Sequence, residues 1–163
     1  MECLVCDWPE CTLAELLGRI DNDDLLVCLA LDFAERVVPL SPDPRLAAYW
    51  LQGARDGVEA ALREGQRSGW SDLIASKIWV ETMRHAAWAV AEALVVVGSR
   101  SQRAEHVGVT AIWAREASRM AEHDTDEECV WQLRHTRRLA CTCKALAEAE
   151  PDGRRLRNSL LTR

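Results

Sequence analysis

The side chains in this chain able to do chemistry are chiefly its seven cysteines, its four histidines and its clustered acids and arginines. Cys3-x2-Cys6 has the spacing of half a zinc site, and Cys141-x-Cys143 offers two more thiols as the other half. Neighbouring thiols on a helix diverge by roughly 100° per residue, which makes Cys141-x-Cys143 a poor chelate. Cys129 and Cys143 also fall on an apolar helical stripe, where cysteine serves as a small hydrophobe. Cys3-x2-Cys6 lacks the strand–helix setting of a redox pair. An odd number of cysteines argues against a complete disulfide framework. With no basic start, apolar run and small-residue cleavage site at the N-terminus, a reducing cytoplasm and free thiols are expected.

The histidines give no catalytic constellation. His85 follows Glu81 by one helical turn, so a local pair is expected, while His106, His123 and His135 stand alone. HExxH, phosphate-loop and GxSxG patterns are absent from the sequence, and no cofactor or enzymatic activity is expected. Two acidic patches, Asp21/Asp23/Asp24 and Glu122/Asp124/Asp126/Glu127/Glu128, precede or open helices, where the helix dipole accounts for them. They also suit a basic partner. Arg134, Arg137 and Arg138 are either a solvated helix face or a surface for an anionic ligand or partner.

A formal charge of −6 and a pI near 5.3 disfavour nucleic-acid binding, which requires a basic footprint. No apolar run approaches the roughly 18 residues of a membrane span. Seven Trp stand against one Tyr and one Phe, which points to packed helices or to an interface anchored by Trp.

The elements that must position these groups are all helical. Residues 1–11 read as irregular. Thr12 with Glu15 is a capping box for a helix from Leu13 to about Ile20. A mostly apolar, central helix follows from Leu25 to about Val38 and ends at Pro39 and Pro42. Asp43-Pro44 opens the next helix with an N-cap acid and a proline at the first position, running to Gly65. On it Gly53, Gly57 and Ala61 recur every four residues, a bare stripe that favours close approach of another helix over a break near Gly57. Ser71 to about Val97 carries one stripe of Trp79, Met83, Ala87, Val90, Leu94 and Val97, and a thin second face of Ala86, Ala89 and Ala93. Ser101 to about Ala121 buries Val107, Ala111, Ala114 and Ser118, widened by Ile112 and Trp113. Thr125 with Glu128 caps a last helix to about Ala149, with Cys129, Leu133, Thr136, Ala140 and Cys143 on one side. Pro151-Asp152-Gly153 ends it, and residues 154–163 form a polar basic tail expected to fray.

The expectation is therefore an all-α, single-domain bundle over residues 1–153, with about five to six helices, two or three of them long and central, and no β-sheet.

FAERVVPL followed by DPRLAAYWLQGARDG resembles the all-α immunity proteins of bacterial polymorphic toxin systems, the group called immunity family five. Those chains often read as a helix ending in an A-x-R-V-x-P-like segment, a D-x-R-P or D-P-R start, and a helix rich in Ala and Arg with a small-residue pattern. SKIWVETMRHAAWAVAEAL and AIWAREASRM resemble the Ala/Trp-rich half that follows. The resemblance covers residues 25–140 in pattern, and Asp43, Arg45, Asp56 and Gly57 fit it best. It implies a cytoplasmic protein that neutralises a cognate toxin by direct binding. Arg45 and Asp56 are not required by helix formation and are the expected partner-binding residues, together with the acids Asp124, Asp126 and Glu127 and exposed Trp. The competing readings are a helical scaffold or self-associating interaction domain, and a Cys-ligated zinc protein using Cys3, Cys6, Cys141 and Cys143.

Overall fold

The computed structural model describes residues 11–57, 63–65, 81–99, 101–121 and 125–149. Every regular element among them is helical. In chain order these are α1 (Leu13–Leu17), α2 (Asp23–Glu35), a 3-10 turn (Val38–Leu40), α3 (Pro44–Arg55), α4 (Glu81–Gly98), α5 (Arg103–Met120) and α6 (Thr125–Ala149). The all-α expectation holds. The irregular segment 1–10, the start of the Ser71 helix and the tail 154–163 lie outside the described residues.

Helix starts follow their local chemistry. In α1, Glu15 N–H donates to Thr12 Oγ1 at 3.3 Å and Thr12 N–H donates back to Glu15 Oε2 at 2.8 Å. This satisfies two N–H groups that a helix start leaves unpaired. At α2, Asn22 Oδ1 accepts from Leu25 N–H at 2.9 Å, with Asp23 and Asp24 in the first turn. At α3, Asp43 Oδ1 accepts from Leu46 N–H at 3.0 Å ahead of Pro44.

The end of α3 departs from the sequence reading. The helix stops at Arg55, and Gly57 takes a left-handed φ of +68° with nothing within 4 Å of where its Cβ would lie. Gly57 is a helix stop and not a helix–helix contact, because only glycine enters that conformation without a Cβ penalty. The close approach falls on Gly65 instead. A Cβ there would lie 2.6 Å from Leu94 Cδ1 and 3.1 Å from Trp50 Cγ.

The core is built around α2. Leu25, Leu26, Leu29, Leu31 and Phe33 are buried against α4 and α5, as the apolar pattern of this segment predicts. Among the described residues, helices α4 and α5 form the most extensive pairing. Ala86, Ala89 and Ala93 on one and Ala111, Ala114 and Ala117 on the other are fully buried. Such small side chains let two helices come close together. Ile112 does not widen the α5 face; it is 47% exposed. On α6 the expected stripe is buried at Thr136, Ala140 and Cys143, but in the first two turns Glu128 and Gln132 are buried in place of Cys129 and Leu133, which are only half-buried. Two polar residues at a helix–helix seam explain the shift, because a hydrophobic pattern cannot register them.

Candidate functional site

Helices α2 and α6 each turn a helical stripe toward a shared cavity of about 410 Å3. From α2 come Cys28, Asp32 and Glu35, and from α6 come Trp131, His135 and Arg138. The spacing of three and four residues places each set on one helix face. Arg55, the last residue of α3, reaches in from a third side.

Asp32 is the hub. Its Oδ1 accepts from Arg55 Nη2 at 2.5 Å and its Oδ2 from His135 Nε2 at 2.6 Å. Arg55 Nη2 also donates to Glu35 Oε2 at 2.8 Å. The Arg55 side chain is only 7% exposed, so its charge would be costly without these two carboxylates. Burial works to raise the Asp32 carboxyl, but the hydrogen bond from His135 and the charge of Arg55 outweigh it and hold the carboxyl below its ordinary range. Burial also disfavours charge on Arg55, and Asp32 with Glu35 more than restores it. His135 has both nitrogens engaged, because Nδ1 lies 3.1 Å from Arg138 Nη2. With Nε2–H donated to Asp32, Nδ1 accepts from Arg138.

An aromatic layer closes one side. Trp131 stacks on His135 with ring centroids 4.7 Å apart, and Phe33 meets Trp131 edge-on at 6.0 Å. Arg36 lies 4.3 Å over the Trp131 ring, a cation–π contact. The same guanidinium donates to Glu128 Oε2 at 2.9 Å. Cys28 sits at the cavity floor, where burial and then the neighbouring Asp32 charge push its thiol up to about 12. It is not a thiolate near neutrality.

The expected site residues fall elsewhere. Arg45 and Asp56 lie on the outer face of α3, both exposed, with Asp56 Oδ1 accepting from Gln52 Nε2 at 3.0 Å. Asp126 and Glu127 are exposed in the first turn of α6. The structure does not gather these residues into one patch: α3 packs on α2, the 3-10 turn and α4, whereas α6 packs on α1, α2 and α5. Asp124, Cys3 and Cys6 lie outside the described residues. Glu128 separates from its acidic neighbours and serves as the buried partner of Arg36.

Several expectations need correction. Cys141 is disulfide-bonded, so thiols are not free throughout, although Cys11, Cys28, Cys129 and Cys143 are not in disulfides. The bond removes Cys141 as a thiolate ligand, and Cys143 is buried in the core beside Cys28. Among the described residues no group of three or more His, Cys, Asp or Glu is placed to hold a metal ion. His85 does not pair with Glu81. Its ring stacks on Trp113 at 5.3 Å and meets Trp88 edge-on. His106 and His135 do not stand alone but pair with Glu92 and Asp32. Among the described residues no Trp is exposed; the exposed aromatic is Tyr49, at 53%.

The hub was missed in the sequence because its members are 23 and 103 residues apart. A carboxylate in the middle of the apolar run LLVCLALDFAE was the available signal, since a buried acid requires a partner.

No family model, curated protein or solved structure matches this chain. No described helix is long and apolar enough to cross a membrane.

Proposed function

We propose that this chain is a non-enzymatic helical protein that neutralises a cognate bacterial toxin by direct binding, with the outer face of α3 as its contact surface. The observation that carries this reading is the stripe Arg45, Tyr49, Gln52 and Asp56. All four are exposed, at helical spacing, on a helix whose opposite face buries Ala47, Trp50, Leu51 and Ala54. The stripe runs for about 16 Å along the axis. It presents an arginine and one large aromatic, residue types that anchor protein interfaces, with Asp56 at its far end. Tyr49 takes the anchoring part first assigned to exposed Trp. The resemblance of residues 25–140 to immunity proteins supplies the class of partner.

The cavity supports a binding protein over an enzyme. Asp32 is engaged by two donors, both His135 nitrogens are occupied, and the Cys28 thiol is held protonated. None of these groups is left as a ready base or nucleophile.

A protection assay tests the reading. Cells expressing the toxin domain encoded beside this chain should survive when the chain is coexpressed, and Tyr49→Ala should lose most of that protection at matched expression. Failure to protect against any toxin encoded beside it would sink the proposal.

A further inference from the structure

One wall of the cavity carries positive charge that the fold does not consume. Trp131, Arg134, His135 and Arg138 follow one face of α6 and together line a second recess of about 130 Å3 at the cavity mouth. Arg55, deeper in, is taken up by Asp32 and Glu35, and the exposed Arg36 by Glu128. Arg134 and Arg138 differ: both are exposed, and neither meets a carboxylate among the described residues. In a chain of net charge −6, two such arginines one helical turn apart are not accounted for by a balanced solvated face.

Arg138 is also held in place. Its Nη2 donates to His135 Nδ1 at 3.1 Å, and the imidazole is fixed by Asp32 and by the stacked Trp131. The remaining guanidinium N–H groups are unspent on protein acceptors among the described residues. A cavity of about 410 Å3 falls within the range of about 300–1,000 Å3 that small-molecule sites occupy. Trp131 and Leu139 give it an apolar wall beside the charge.

We propose that this cavity binds a small organic anion, with its carboxylate or phosphate group held by Arg138 and Arg134. A planar guanidinium suits the paired oxygens of either group, and charge-assisted hydrogen bonds are the stronger kind. The site is separate from the α3 face and does not depend on the toxin reading.

Titration calorimetry at fixed ionic strength, with inorganic phosphate, pyrophosphate and citrate as separate probes, tests this. Saturable one-to-one binding of at least one probe is expected. Arg138→Gln and Arg134→Gln should each weaken it at least tenfold, with unchanged circular dichroism. Arg119→Gln should leave it intact, because Arg119 is exposed but already paired with Glu116. The phosphate and citrate arms distinguish the two anion classes. Absence of saturable binding to all three probes, or equal weakening by Arg119→Gln, overturns the proposal.

Discussion

Asp32 Oδ2 accepts a 2.6 Å hydrogen bond from His135 Nε2 across a sequence separation of 103 residues, joining α2 to α6. With Arg55 on the other carboxylate oxygen, one acid ties three helices together. Removing it leaves the buried Arg55 guanidinium with Glu35 as its one carboxylate among the described residues. Asp32→Asn keeps the shape and removes the charge, and should destabilise the fold by about 3 kcal/mol, read from the urea midpoint at constant slope. A loss within the noise of a surface substitution would show that the network is solvated and weak.

The same group sets a pH dependence. The folded Asp32 carboxyl lies below its ordinary value, and the unfolded one titrates near about 3.9. Between the two, the unfolded chain binds more protons, so stability falls as pH falls. Its contribution is fully present above the unfolded value and is lost as pH drops through the folded one. Urea midpoints from pH 7 to pH 2 should therefore converge for the parent chain and Asp32→Asn at the acid end. Parallel curves would contradict this.

Much of the fold could be read from the sequence because its signals are local. The Thr12–Glu15 box, the Asp43-Pro44 start and the apolar run of α2 each act within a few residues. What the sequence hid was long-range. Gly57 and Gly65 look alike in sequence, but one terminates a helix and the other lies under Leu94 and Trp50. Glu128 looked like one acid in a patch, and its role depends on Arg36, a partner 92 residues away. Cys141 gave no local sign that it would be disulfide-bonded.

The two glycines can be told apart by substitution. Gly57→Ala meets open space but keeps a left-handed backbone, costing about 1–2 kcal/mol. Gly65→Ala forces Leu94 or Trp50 to move and should cost about 1–3 kcal/mol through overpacking. The decisive readout is Trp50 and Leu94 chemical shifts, which should change in Gly65→Ala and not in Gly57→Ala. The reverse pattern would place the close approach at the wrong glycine.

Cys28 should be chemically silent. A thiol buried at the cavity floor and pushed up to about 12 carries almost no thiolate at pH 8. Alkylation at that pH, mapped by mass spectrometry, should label half-buried Cys11 well before Cys28, which should react only once the chain unfolds. Rapid native-state labelling of Cys28 would mean that the cavity opens to reagent.

The central proposal is that the α3 stripe binds a protein toxin, and a binding titration against any purified toxin domain encoded beside this chain tests it most directly. Tyr49→Ala should cost about 2 kcal/mol of binding, a weakening of roughly 30-fold, with the urea midpoint unchanged because the side chain is 53% exposed. Arg45→Ala and Asp56→Ala should weaken binding less, as rim charges do. Binding of all three variants at parental affinity would contradict the account and leave α3 as scaffold alone.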